Sequence, residues 1–425
     1  MKTKVAFTIL FFLILTMGFS QSTEKYKLGR VVYFVEGNVR ESALNSVLNW
    51  KYHHIFHDKW EMESYLRDQK QILINKKIFK SVTSEYKIIS SDRGYNELEI
   101  IFKLKEAWNI YPIPVYTYDS NFGMITGLGI TYNNFAGTLS DLKLNSYYSP
   151  GKSEITSTLK GVRVGSFDLN FTLSHFWETV KSIDTHNDIN LEYSYAKAQF
   201  DISFLFHVIN KMDYIFTPSL SLPYSYNVDI NDTHEADSYY REEGLIPSLS
   251  HMFLFDKVNW IGNLRQGFSV SIENGLDYLA GEKGYMVWVD CILTSFIYTS
   301  VLNYSSRASY FHYTNGYKVN SGDRLRGILD YKLTGTNGFF WNQNFVIPVV
   351  TIPSVVDLHI TPFVDLGLVG DRNSIFKRDD MFYTAGVSLS VFPAPLPNMQ
   401  ISMDFGVNLK DRTETEVLIS SVLFF

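Results

Sequence analysis

Val355-Val-Asp-Leu-His-Ile-Thr-Pro-Phe-Val-Asp-Leu-Gly-Leu-Val369 decides how the rest of the chain is read. Its even positions, Val356, Leu358, Ile360, Pro362, Val364, Leu366 and Leu368, are all apolar. From 357 to 367 its odd positions are Asp357, His359, Thr361, Phe363, Asp365 and Gly367, a largely polar and small set. Successive side chains of a strand point to opposite faces, so one face here is wholly apolar and the other carries Asp365. A barrel wall with lipid outside and a wet lumen inside has this pattern.

The same period runs from Trp108 to the end of the chain. Phe167, Leu169, Phe171 and Leu173 alternate with Asp168, Asn170, Thr172 and Ser174. Phe200, Ile202, Phe204 and Phe206 alternate with Asp201, Ser203 and His207, and Ile401, Met403, Phe405 and Val407 with Gln400, Ser402, Asp404 and Asn408. Seventeen such windows can be marked. Single-chain bacterial barrels hold an even number of strands, so one window is a strand in two pieces and the wall is an all-β transmembrane barrel of about 16 antiparallel strands. Two connections are long: the acidic Asn231–Glu243 and Tyr313–Asn337. The second contains Ser321-Gly-Asp-Arg-Leu-Arg-Gly327, a tight basic turn. Long connections of this size commonly have a task. A guanidinium confined in a lumen needs a carboxylate opposite its fork of donors, and Asp365 is the acid on offer for Arg326.

The remaining composition fits a membrane wall. Of the 425 residues 16% are aromatic and 19% charged, and Tyr (28) and Phe (32) far outnumber Trp (7). A net charge of −6 argues against a nucleic-acid partner, which calls for a basic face. Residues 1–20 read as a secretory signal: Lys2 and Lys4, then the apolar Val5–Met17, then the small-x-small Gly18-Phe19-Ser20. No other apolar run is long enough for a membrane helix, so an exported chain of amphipathic strands spans a membrane as a closed barrel. Cys291, the single cysteine, falls on the apolar register Val287, Val289, Leu293 and reads as a lipid-facing hydrophobe.

Residues 26–106 read as a separate small domain of order β-α-α-β-β. A strand at Val31–Val35 ends at Glu36-Gly37-Asn38, and a helix with Leu44, Val47 and Leu48 on one face follows. A second helix opens at Asp58 with Glu61 three residues on, a capping box, and carries Met62, Tyr65, Leu66, Ile72 and Leu73. Strands around Val82–Ile89 and Glu97–Leu104 close the unit. His53, His54, His57 and Asp58 lie close together, but histidines satisfied in a loop before a helix explain them better than a metal does. Neither Gly-x-Ser-x-Gly nor His-Glu-x-x-His occurs, and no phosphate-cradling glycine loop, so no catalytic residue, metal or cofactor is assigned.

Taken in order, these segments resemble the BamA/TamA-type outer-membrane assembly superfamily. The β-α-α-β-β unit, with Glu36-Gly37-Asn38 after its first strand, resembles a POTRA domain. Gly127-Leu-Gly-Ile-Thr-Tyr-Asn-Asn-Phe-Ala-Gly137 resembles early barrel strands of that superfamily. Leu325-Arg326-Gly327 is similar to its Val-Arg-Gly-aromatic loop motif, with Ile328 in place of the aromatic, a change that weakens the packing part of the motif and spares its charge. Phe363-Val-Asp365-Leu-Gly367 is similar to the strand motif facing that loop, and Phe425 to a membrane-targeting barrel end. The resemblance implies a sixteen-stranded barrel (108–425) in the bacterial outer membrane and one POTRA domain (26–106) in the periplasm. It also implies that loop 313–337 folds into the lumen, where Arg326, with Leu325, Gly327 and Asp323 around it, latches onto Asp365 between Phe363 and Gly367.

Its partners would be the lipid bilayer, unfolded outer-membrane or secreted protein clients, and periplasmic chaperones or lipoprotein subunits. The implied activity is insertion or export of polypeptides without covalent chemistry, by strand addition at the POTRA edge or at a weakly paired barrel seam, where Gly127 and Gly129 either help to loosen the first hairpin or mark a bulge. A passive channel or accessory structural barrel is the alternative.

Overall fold

The computed structural model describes residues 24–425 except 49, 92–93, 121–122, 185–188, 210, 231–243, 280–283, 300–302, 316, 318, 330–331, 372–380, 395–398 and 424–425. The signal segment 1–20, the acidic loop Asn231–Glu243 and Phe425 therefore lie outside the described residues. The chain divides into two compact units.

The smaller unit contains β1 (Tyr26–Glu36), α1 (Glu41–Val47), β2 (Ile55–Phe56), α2 (Lys59–Asn75), β3 (Phe79–Ser90) and β4 (Asn96–Glu106). The sheet order is β2-β1-β4-β3, with β1 and β4 parallel and the other pairs antiparallel. Leu28, Tyr33, Leu98, Ile100, Phe102 and Leu104 of the sheet and Leu44, Met62, Leu66 and Leu73 of the helical side are buried. The two-residue β2 is too short to show a period, and the sequence reads as a plain loop there. Gln69 is buried on the α2 stripe beside Met62, Leu66 and Leu73. The cap of α2 is built as its sequence predicts: Asp58 Oδ1 accepts the Glu61 amide at 2.7 Å, and Glu61 accepts the His57 amide at 2.8 Å. His54 points its ring at the same carboxylate, 3.0 Å away. Those bonds hold Glu61 below the usual carboxylate range, the His57 amide contributing most.

In the larger unit sixteen strands among the described residues, from Ile110–Asp119 to Thr415–Leu423, close into an antiparallel barrel. The piece Asn259–Ile261 pairs with the same neighbour, Leu264–Leu279, as Ile246–Asp256 does, so these two segments are one strand broken at Lys257-Val258. The alternation of strand Val356–Gly370 is the alternation of its burial. His359, Thr361, Phe363, Asp365 and Gly367 are buried, while Pro362 and Val364 are exposed. Cys291 shares the outward register of Val287 and Leu293, each 47% exposed. On strand Met212–Ile230 the outward Leu220 and Leu222 lie between two tyrosines, one bonded to a histidine of the adjacent strand Ile246–Asp256 and the other to a histidine of strand Phe167–Asp184, one strand further round the wall. Tyr214 bonds to His251 at 2.6 Å, and Tyr224 bonds to His175.

The first and last strands meet over a short stretch: Asp119 faces Leu418 and Tyr118 faces Ile419. Just beyond, the Ser120 hydroxyl donates to the Val417 carbonyl at 3.2 Å and accepts the Val417 amide at 2.9 Å. The first hairpin, by contrast, is paired at every residue from Ile110 to Asp119. Gly127 and Gly129 therefore do not loosen it. A Cβ on Gly127 would sit 2.1 Å from the Ser146 carbonyl, so this glycine serves close approach to the third strand.

Candidate functional site

The connection between strands Asn303–Tyr313 and Asn337–Ile352 turns into the lumen and is cinched at its base. Val319–Asn320 pairs with Thr334–Gly335, and the Ser321 amide and hydroxyl both donate to the Leu333 carbonyl at 2.8 Å. A single 3-10 turn, Gly322–Arg324, then presents Leu325, Arg326 and Gly327 to the wall. Gly316, Lys318, Asp330 and Tyr331 of this loop lie outside the described residues.

Arg326 and Asp365 meet. Nε and Nη2 donate to the two carboxylate oxygens at 2.8 Å each, a bidentate fork, and Nη2 also donates to Asn344 Oδ1 at 2.8 Å. The face of the guanidinium lies 3.6 Å from the centre of the Phe363 ring. Asp365 is fully buried, whereas the Arg326 side chain keeps 24% exposure. Phe363, Asp365 and Gly367 are successive inward positions of one strand and divide the work: ring, acid, and room. A Cβ on Gly367 would stand 2.9 Å from Leu325 Cδ2, so only glycine leaves space for that side chain.

Leu325 and Ile328 are both fully buried, in a cluster with Phe311, Leu333, Phe340 and Val369. Ile328 thus fills its site, contrary to the weakened packing expected of an isoleucine in an aromatic's place. Asp323 is exposed.

Five partners of the loop among the described residues escaped the sequence reading. Arg324 forks onto Asp290 of strand Gly284–Tyr298, at 3.2 and 2.5 Å, and lies over Phe311. Asn344 accepts a further hydrogen bond from Arg326 Nη2. The Gly327 amide donates to Glu416 Oε2, on the last strand, at 2.7 Å. Gly406, on the neighbouring strand Met399–Asn408, comes so near that a Cβ on it would be 2.7 Å from Gly327 Cα. Gly327 itself has φ +95, a conformation open to glycine. Lys332 adds an ion pair to Glu414 at 2.8 Å. Asp290 was readable, since it is an acid on the inward register with Met286 and Trp288. Glu416 was not, because an acid next to a polar turn reads as solvated.

Arg326 also lines a chamber of about 250 Å³, with Arg265, Asn303, Asn344, His359 and Asp404 among its other lining residues. His359 is held by Asp357 at 2.9 Å and packs on Phe392. The loop side of this site is therefore tied and packed. What the arrangement offers chemically is a hook made of non-covalent bonds, attached to the wall at Asp290 and Asp365 and to the last strand at Glu416.

No protein-family model matches the sequence, and no curated protein matches it either. Solved structures do. BamA from Haemophilus ducreyi lacking POTRA domains 1–3 is 14% identical, with a TM-score of 0.55 over 93% of this chain and 85% of that one. CdiB from Acinetobacter baumannii is 16% identical, TM-score 0.59, over 93% and 74%. CdiB from Escherichia coli is 12% identical, TM-score 0.62, over 93% and 76%. Together with the closed sixteen-stranded wall and the lumenal loop, these similarities give the chain the barrel fold seen in the BamA and CdiB structures.

Proposed function

We propose that this chain is an outer-membrane factor that inserts or exports polypeptides, with its small N-terminal domain in the periplasm as a POTRA domain. The observation that carries this reading is the single loop that hooks Asp365 on the wall and Glu416 on the seam strand. A barrel kept only as scaffold or pore has no need of a fastening that reaches its own seam. A short seam is a template for another strand, and β3, the edge of the small sheet, is a second one. Clients are unfolded outer-membrane or secreted proteins, and chaperones or lipoprotein subunits would deliver them. No covalent step and no cofactor are invoked. Burial of the client's apolar face in lipid supplies the driving force.

Depletion of the protein followed by quantitation of outer-membrane and surface proteins tests the proposal. Loss of a defined set of barrels or secreted proteins is expected, and Arg326→Ala expressed in place of the wild type should reproduce part of it. Unchanged levels throughout would leave a passive channel or accessory structural barrel as the better account.

A further inference from the structure

Two prolines limit how far the seam can extend. Pro112 and Pro114 lie in the first wall strand, Ile110–Asp119. In an antiparallel pair, alternate residues direct both N–H and C=O to one neighbour. Val417 directs both of its groups at Ser120, so it is a seam-facing residue, and the register 418 to 119 places it opposite 120. Seam-facing residues on the first strand are then the even ones: Ser120, Tyr118, Tyr116, Pro114 and Pro112. The odd residues face the second strand, which is why two prolines leave that ladder unbroken from end to end. Proline has no N–H, so the seam edge lacks donors at two successive rungs. Continued in register, these rungs would lie opposite residues 423 and 425.

The rest of the wall shows what a proline does when it faces a neighbour. The ladder between strands Ile189–Ile209 and Met212–Ile230 runs through Asp201–Ser219 and resumes at Phe204–Phe216, omitting Pro218. Between strands Asn337–Ile352 and Val356–Gly370 it passes from Asn344–Phe363 to Ile347–Ile360, omitting Pro362. In both cases the rung is missing on one side only, since Pro218 pairs with Leu249 and Pro362 with Val387.

We infer that Pro112 and Pro114 keep the seam from extending past Tyr116 and confine strand addition on the first strand to the stretch Tyr116–Ser120. The seam length is a property of the wall and holds whatever the barrel does. If polypeptides are handled there, the first strand offers an incoming extended backbone only this short window. Both prolines are exposed on the outer face, so valine suits the position in size and polarity.

The test replaces Val115 and Val422, which continued register places opposite each other, with cysteine in a Cys291→Ser background. A disulfide needs Cα atoms within about 7 Å. With both prolines present, oxidation in intact membranes should crosslink this pair poorly, and in Pro112→Val/Pro114→Val the crosslinked fraction should rise several-fold. Pro218→Val is the control: it alters a wall proline away from the seam and should leave crosslinking unchanged. Equal crosslinking with and without the two prolines, or an equal rise with Pro218→Val, would overturn the inference. If the double variant folds poorly, Pro114→Val alone must still raise the yield, and its failure to do so counts against the idea. Failure of the depletion experiment would leave this result untouched.

Discussion

Arg326 and Asp365 show how unevenly a pair can be buried. Asp365 has no access to water, while a quarter of the arginine side chain does. Removing the arginine therefore does most of its damage by stranding the acid, and Arg326→Ala should cost about 3–5 kcal/mol. Heat-modifiability on gels and protease resistance of the loop are the readouts, and wild-type values for both would remove the latch. Arg326→Lys should recover only part, because an ammonium keeps the charge but neither forks onto two oxygens nor stacks on Phe363. Glu61 in the small unit gives a pH prediction. Its carboxyl titrates lower when folded than when unfolded. The stability it adds is thus present above the ordinary carboxylate range and fades as pH falls through the depressed folded value. Protection of the amides at the start of α2 against exchange, taken relative to the intrinsic rate at each pH between 3 and 6 on the whole protein, should fall as pH drops, and Glu61→Gln should flatten that profile. Asp365 was legible because a wall between lipid and water imposes period two and leaves an inward acid conspicuous. Asn344 was not, since an amide on an inward face is ordinary until a guanidinium is seen against it.

At the level of elements, the lumenal loop binds strands far apart in the sequence. Asp290, Asp365 and Glu416 come from three of them, and the loop closes on Gly406 backbone to backbone. Glu416→Ala should loosen the loop less than Arg326→Ala, because the Gly327 amide can turn to water, and Glu416→Gln should come close to wild type since an amide oxygen still accepts. Gly406→Ala should act more strongly than either Glu416 change, as it forces two backbones apart. Limited proteolysis of the three variants ranks them, and a Gly406→Ala loop as resistant as wild type would sink the contact. Strand positions were readable from alternation alone, as Val356–Gly370 and Met399–Asn408 illustrate. Asn344, Gly406 and Glu416 were not, because their part in holding the loop is fixed by closure of the barrel and leaves no local pattern. Pro112 and Pro114 were in plain sight, but their meaning depends on which parity faces the seam, and only the bonds of Ser120 reveal that.

For the molecule as a whole, the paired rings on strand Met212–Ile230 act as a gauge. Tyr214 with His251 and Tyr224 with His175 are polar-tipped aromatics of the kind that settle where hydrocarbon gives way to headgroups. Ten residues at about 3.3 Å each, tilted by about 40°, span roughly 25 Å along the barrel axis. A typical hydrocarbon core is about 30 Å thick. The protein is therefore cut for a thin membrane, and a thicker one must compress around it. Refolding into vesicles should be fastest and most complete in short-chain lipids and fall off as the acyl chains lengthen. A folded fraction indifferent to chain length would mean that these tyrosines do not mark the two shores of the bilayer.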